Sequence, residues 1–338
     1  MKRMTIAEAL REGIRQEMRR DERVFCIGED IAIPGGWGGA FTVTLGLEEE
    51  FADRMINTPI SEAGLFGAAL GAAMMGMRPI ADVQYGDFLF CAMDQVANQI
   101  AKMRYMSGGK LTVPLLMRAP VGVTGRGAQH AQSMEAFFMP LPGIKIIAPS
   151  NAYDALGMLR SAIRCDDPVL MFEHKLLYGS KGARTESGAV DASGDIPDED
   201  YTVPIGKAAI LREGGDVTIV SHLLMLHHAL RAATKLAEEG IEAEVIDARS
   251  LVPFDWETLK ASVAKTGRVI FVEECSKHAG VYAEIAATLA EEMMELLSAP
   301  IKRIAAPNTP APFAPVMEKF YIPQIDDIVS GVKELVEY

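Results

Sequence analysis

Arg54-Met55-Ile56-Asn57-Thr58-Pro59-Ile60-Ser61-Glu62-Ala63-Gly64 reads as a strand, a stop and the start of a helix. Arg54 to Asn57 is short and β-prone. Thr58-Pro59 ends it, because proline lacks the N–H a ladder needs and pushes its predecessor away from helix. From Ala63 to Met75 the chain is Gly, Ala and larger apolar residues, and a helix apolar all round belongs in a core. The same alternation recurs outward in both directions. Upstream, Ile6 to Met18 has apolar residues at helical spacing, and Val24 to Gly28 is a buried strand ending at Glu29-Asp30, before the glycine-rich loop Gly35 to Gly39. Downstream, Pro79 to Tyr85 is strand-like, Asp87 to Met106 reads as one long helix and Leu111 to Arg118 as a strand. Gly143 to Ile147, Ala152 to Arg164 and Pro168 to Glu173 follow as strand, helix, strand. Strands alternating with helices imply a parallel sheet covered on both faces.

Gly179 to Pro204 breaks this rhythm with glycines, prolines, serines and acids, and is expected to be a solvated linker or long surface loop. Beyond it the α/β alternation resumes. Asp216 to Ser221, Glu244 to Asp247, Arg268 to Glu273 and Ile301 to Ala305 are strands. His222 to Glu239, a segment capped by Asp255, Val281 to Leu297 and a segment opened by Pro323 are helices. The expected fold is α/β, two domains with mainly parallel sheets, bounded at residues 1–180 and 205–338 with a linker at 181–204.

The chain has 338 residues and a formal charge of −13. That balance disfavours nucleic-acid phosphates and anionic membrane surfaces as partners. Cys26, Cys91, Cys165 and Cys275 lie too far apart for zinc spacing and read as reduced thiols. The N-terminus shows no signal-peptide apolar stretch, and Leu65 to Met77 is too short to span a bilayer. The expectation is a cytoplasmic enzyme or enzyme subunit.

Dinucleotide chemistry has little support. Gly125-Arg126-Gly127 lacks the third glycine of a Rossmann fingerprint, and no phosphate-binding P-loop occurs. His130 sits in a polar loop beyond the Leu111 to Arg118 strand, where open sheets bind ligands; it either moves protons or binds an anion there, or only ties the loop together. His222, His227 and His228 fall along one helix, facing solvent or packing, and His174 and His278 have no nearby partner set. Glu62 opens an apolar helix, where the dipole favours a carboxylate. Capping is its bland role; a buried acid that meets a ring nitrogen is its functional one. Tyr85 and Phe88, where a strand turns into a helix, either pack the core or stack on a flat heterocycle.

Thr58-Pro59-Ile60-Ser61-Glu62, Arg104-Tyr105-Met106-Ser107-Gly108-Gly109, Ala128-Gln129-His130-Ala131-Gln132-Ser133 and Pro142-Gly143-Ile144-Lys145, with Gly28-Glu29-Asp30, Asp94-Gln95-Val96, Ser161-Ala162-Ile163-Arg164, Lys265-Thr266-Gly267-Arg268 and Tyr321-Ile322-Pro323, occur in order along the chain. This set resembles the beta subunit of the decarboxylating component of 2-oxoacid dehydrogenase complexes, of pyruvate, acetoin and branched-chain type. The resemblance implies a pyrimidine-binding thiamine diphosphate domain followed by a transketolase C-terminal-type domain. It implies that Glu62 hydrogen-bonds the cofactor's aminopyrimidine, that Phe88 and Tyr85 pack on that ring, and that His130 positions substrate and the incoming lipoyl group.

The family's diphosphate and magnesium site needs Gly-Asp-Gly and a downstream asparagine pair, and neither occurs here. The resemblance therefore implies an alpha subunit that binds Mg²⁺ and the diphosphate, an α2β2 tetramer, and docking to a lipoyl acyltransferase core. It also implies a structural potassium ion at main-chain carbonyls of Leu115, Ala162, Ile163 and Cys165, with an oxygen from Asp167. Cys165 stands where relatives often carry Asp. Gly182 to Ile196 is longer than in relatives and is expected to be a surface insertion. The substrate implied first is pyruvate, with acetoin or a branched 2-oxoacid as alternatives; an NAD-binding oxidoreductase is the alternative from another class.

Overall fold

Val24–Gly28, every residue buried, lies inside a parallel sheet. The computed structural model describes residues 1–179 and 188–338. They divide into two units, Met1–Val121 with Phe138–Ile205, and Gly122–Phe137 with Gly206–Tyr338. In the first unit the strands run Lys145–Ile147, Val169–His174, Leu116–Val121, Arg78–Asp82, Val24–Gly28, Met55–Asn57 across the sheet, each pair parallel. Strands buried on both faces read as unbroken apolar runs, which is how most of these appear in the sequence.

The helix Ile6–Arg20 starts with a capping box, in which Thr5 Oγ1 accepts from Glu8 N at 3.3 Å and the Glu8 carboxylate accepts from Thr5 N at 2.9 Å. It packs on the helix Ala152–Arg164, and Gly13 permits the approach: a Cβ there would sit 2.6 Å from a Leu159 methyl. Glu17, 1% exposed at that contact, is neutralised by Arg164 at 2.6 Å.

Three expectations need correction. Asp87 to Met106 is not one helix: a 3-10 turn at Gly86–Phe90, a widened π turn at Gln95–Ile100 and a short α turn at Met103–Met106 replace it. The widened turn packs on the helix Glu62–Met74, and hydrophobic spacing cannot report the extra residue a π turn absorbs. The strand expected from Leu111 begins at Leu116, two residues past Pro114, which has no N–H to give a ladder. The linker expected over Gly179 to Pro204 is, across residues 188–204, tied to the first unit. Gly194–Ile196 pairs antiparallel with Lys2–Met4, Tyr201 stacks on Tyr153 at 4.3 Å, and Val203 N donates to Gly157 O at 3.1 Å. Composition masked the apolar anchors Val190, Ala192, Ile196 and Val203, all buried. Of the expected surface insertion, residues 182–187 lie outside the described residues.

In the second unit the order is Lys302–Ala306, Val269–Ser276, Val217–Ser221, Ala243–Asp247, Ala209–Arg212. The first four are parallel; Ala209–Arg212, which the sequence reading omitted, is an antiparallel edge. Asp255 caps the helix Trp256–Thr266 as expected, and Gly267 closes it at φ +66°. The last helix begins at Ile325, after Pro323, with Gln324 and Asp327 forming its cap. Among the described residues no helix is long and apolar enough to cross a membrane.

Glu273, fully buried, accepts from Val281 N at 2.7 Å at the start of the helix Val281–Met293. Burial pushes its carboxyl up to about 8 despite the backbone donors. The folded state therefore keeps a proton that an unfolded carboxyl releases near ~4.3. Its contribution is complete at low pH and is lost as pH rises towards the folded value. Glu273→Gln keeps the shape of the neutral acid. Its melting temperature relative to wild type should climb between about pH 5 and about pH 8; a constant difference across thermal melts would show that Glu273 ionises normally.

Candidate functional site

Three neighbouring strands of the first unit end in register: Gly28 lies beside Asn57 on one side and Asp82 on the other. The residues just past that line are Glu29, Thr58 and Val83, so three loops leave the sheet together at its carboxyl edge. Thr58 N donates to Gly28 O at 3.0 Å and Gln84 Nε2 to Glu29 O at 2.5 Å, which ties the loops to one another. Glu62 is the first residue of the helix Glu62–Met74, whose N-cap Ser61 accepts from Gly64 N at 3.3 Å. Ser61 does the capping, so the Glu62 carboxyl is not needed for it. Glu62 is half-buried, on a helix with exposed small residues at Ala63, Gly64, Ala68 and Gly71. The fully apolar helix is thus not sunk in the core of this chain as its composition suggested.

Glu29 is a second buried acid at this edge, which the sequence pattern alone does not single out. It is 7% exposed, and its Oε1 is buried without a hydrogen-bond partner among the described residues. Burial, then the negative charge of Glu62, holds its carboxyl above the usual range, against a hydrogen bond from the Ser61 backbone. The available signal was positional: an acid directly after an apolar strand occupies the same sheet edge as Glu62.

Tyr85 and Phe88 also reach this edge. Their rings meet edge-on at 5.5 Å, and Phe41 meets Tyr85 edge-on at 5.8 Å. Tyr178 stacks on Phe41 at 4.9 Å, and the fully buried Lys175 ammonium lies 5.1 Å from the centre of the Tyr85 ring. Both Tyr85 and Phe88 are half-buried, leaving ring surface open. The first unit therefore groups two carboxyls and an aromatic pair at one sheet edge, a set that can hold a flat heterocycle with a protonatable ring nitrogen.

His130 belongs to the second unit, in the segment Gly122–Phe137. It is half-buried, and its backbone N donates to Gly127 O at 3.2 Å. Two other histidines are buried, His222 in packing as expected and His174 with a partner that was not expected. His222 is buried ahead of its helix with Nδ1 2.8 Å from Tyr282 Oη, and His174 is buried with Nδ1 accepting from Leu176 N at 3.2 Å. The expected potassium positions belong to the first unit, and their oxygens already have partners there. Arg78 donates to the carbonyls of Ile163 at 2.8 Å and Cys165 at 2.7 Å. The Leu115 carbonyl accepts from Val169 N at 2.9 Å, and that of Ala162 from Cys165 N at 3.2 Å. The Asp167 carboxylate pairs with Lys145 at 2.7 Å and with Arg104. Among the described residues no group of three His, Cys, Asp or Glu side chains could hold a metal ion.

Residues 2–181 match the transketolase pyrimidine-binding domain and residues 206–328 the transketolase C-terminal domain. A solved split-gene transketolase, described as an inactive beta4 tetramer, shares the fold, with a TM-score of 0.79 at 23% identity over 99% of this chain and 98% of that one. The architecture is that of a two-domain, transketolase-type protein. Among relatives, the acetoin:2,6-dichlorophenolindophenol oxidoreductase beta subunit of Bacillus subtilis is 45% identical, over 98% of this chain and 97% of its own length. The 2-oxoisovalerate dehydrogenase beta subunit of the same species is 42% identical over 99% of both chains, and the pyruvate dehydrogenase E1 beta subunit 40% over 100% of both. This chain belongs to the beta subunits of the decarboxylating component of 2-oxoacid dehydrogenase complexes, oxidoreductase components of a thiamine diphosphate-dependent family.

Proposed function

We propose that the chain works as the beta half of an α2β2 thiamine diphosphate enzyme, decarboxylating a 2-oxoacid, pyruvate first, and reductively acylating the lipoyl group of an acyltransferase core. The observation that carries this is the grouping of Glu62 with Glu29, Tyr85 and Phe88 at three register-matched strand ends. When bound, thiamine diphosphate supplies a carbon nucleophile and an electron sink for decarboxylation. The residues of this chain act around it. The Glu62 carboxyl holds a proton at the pyrimidine nitrogen opposite the amino group. Tyr85 and Phe88 pack the ring face. Burial and the charge of Glu62 keep the neighbouring Glu29 carboxyl above the usual range. An alpha subunit carries the diphosphate and Mg²⁺, since this chain has neither Gly-Asp-Gly nor an asparagine pair. A cytoplasmic location goes with this reading.

His130 serves the acyl-transfer half of the cycle. His130→Ala should slow acylation of the lipoyl group by about a hundredfold while decarboxylation, read with an artificial electron acceptor, changes only a few-fold. Equal losses in both assays would reduce His130 to a structural role. Carbonyls of Leu115, Ala162, Ile163 and Cys165 with the Asp167 carboxylate are hard oxygen donors. The proposal of a structural potassium ion rests on the family resemblance, since Arg78 already donates to the Ile163 and Cys165 carbonyls and Asp167 pairs with Lys145.

Acetoin cleavage is a second reading, favoured by the 45% identity to the acetoin-type beta subunit; a branched 2-oxoacid is the third. A substrate panel of pyruvate, acetoin and branched 2-oxoacids, given to the assembled enzyme with an artificial acceptor, decides. Turnover of pyruvate above the rest supports the first reading, and acetoin alone would replace it.

A further inference from the structure

The loop that carries His130 leaves the first unit's sheet after Val121 and folds into the second unit. Its two stems close on each other where Gly122 N donates to Gln132 O at 3.1 Å. They also close on one side chain. A single oxygen of Glu274, Oε1, accepts from Val123 N at 2.7 Å and from Ser133 Oγ at 3.2 Å. Glu274 is 6% exposed and stands near the end of the strand Val269–Ser276, so its carboxylate is set by the sheet rather than by the loop. The stems are sealed by Val123 and Ala131 packed with Ala311, Tyr321 and Ile322. Beyond the clamp the loop has further ties, Gly125 N to the Glu318 carboxylate and the Cys275 thiol to Glu135 Oε2 at 3.1 Å.

We propose that Glu274 is a positioning residue for His130: one buried carboxylate oxygen pins both stems of the loop and so sets where the imidazole stands for acyl transfer. The proposal rests on the functional reading above, in which His130 serves the lipoyl step. The physical argument is one of hydrogen bonds. Without Glu274, the buried Val123 N–H loses its acceptor, and an orphaned buried donor is relieved by moving the loop. A shift of about 1 Å at a positioned group costs on the order of a hundredfold in rate. The carboxylate acts by accepting, not by its charge, so an amide oxygen in its place can accept the same two bonds.

The test uses the assembled α2β2 enzyme and reads two rates, lipoyl acylation and artificial-acceptor decarboxylation. Glu274→Ala should lower acylation about tenfold to a hundredfold with decarboxylation within a few-fold of wild type. Glu274→Gln should restore most of the loss. Ser133→Ala, which removes one hydroxyl, should give a smaller loss confined to acylation, and it keeps the test open if Glu274→Ala does not fold. The double variant His130→Ala/Glu274→Ala should acylate no more slowly than His130→Ala alone. Parallel loss of both rates, unchanged acylation in Glu274→Ala, or losses that multiply in the double variant would each overturn the proposal. A wild-type assembly that turns over no 2-oxoacid or acetoin would instead overturn the reading beneath it.

Discussion

Glu62→Gln should assemble normally and turn over about two to four orders of magnitude more slowly than wild type. The substitution is nearly isosteric, and it leaves the Ser61 cap on the helix Glu62–Met74 intact. Glu62 is half-buried, so little stability depends on its charge. The amide can still donate a hydrogen bond to a ring nitrogen, so thiamine diphosphate binding survives better than rate. What the amide cannot do is give up and regain a proton at that nitrogen, and the loss falls on turnover rather than on affinity. Turnover per assembled active site, with a parallel thiamine diphosphate titration, separates the two. Near-normal turnover in Glu62→Gln would remove this acid from the mechanism.

Arg118→Leu is the largest expected stability loss. Arg118 is 1% exposed, and its guanidinium grips Glu173 with two bonds at 2.8 and 2.6 Å while a third nitrogen reaches Asp82. Tyr178 Oη donates to Glu173 at 2.7 Å. Burial lifts the Asp82 carboxyl to about 6 against the pull of Arg118, which is hydrogen-bonded to both carboxyl groups. Removing it strands both and should cost about 3–5 kcal/mol. For a unit of this size that is a fall in melting temperature of roughly 10 °C. A drop of only a degree or two in thermal unfolding would mean that the carboxyls simply take up protons. The damage would also reach the site, because Tyr178 stacks on Phe41 and Phe41 meets Tyr85.

Much of this was legible in the sequence, for physical reasons that differ by element. Val24–Gly28 and Ala152–Arg164 matched because a buried strand and an amphipathic helix with an Asn151 cap each leave a local mark. Glu62, Tyr85 and Phe88 stand out in the sequence as residues at strand-to-helix turns, but spacing alone leaves capping and core packing open for them, and their cofactor roles come from the family resemblance. The π turn at Gln95–Ile100 and the edge strand Ala209–Arg212 were missed, since a widened turn and a half-exposed edge follow tertiary contacts rather than a local apolar period. Glu29 was quoted only as part of a motif, because its partner Glu62 lies far along the chain and only strand register brings them together. The His130 loop belongs to the second unit through contacts far apart in sequence, among them Val123 N donating to Glu274 across 151 residues, which no local pattern announces.

The central claim is that this chain holds the pyrimidine side of a thiamine diphosphate site that an alpha subunit completes. The most direct measurement is gentle affinity purification from the source cell, followed by identification of the co-purifying chains and assay of the eluate with and without thiamine diphosphate and Mg²⁺. The account predicts a partner carrying the Gly-Asp-Gly and paired-asparagine motif, and turnover that rises and saturates with added thiamine diphosphate. A lone chain, inert and indifferent to thiamine diphosphate after the neighbouring gene products are supplied, would contradict it.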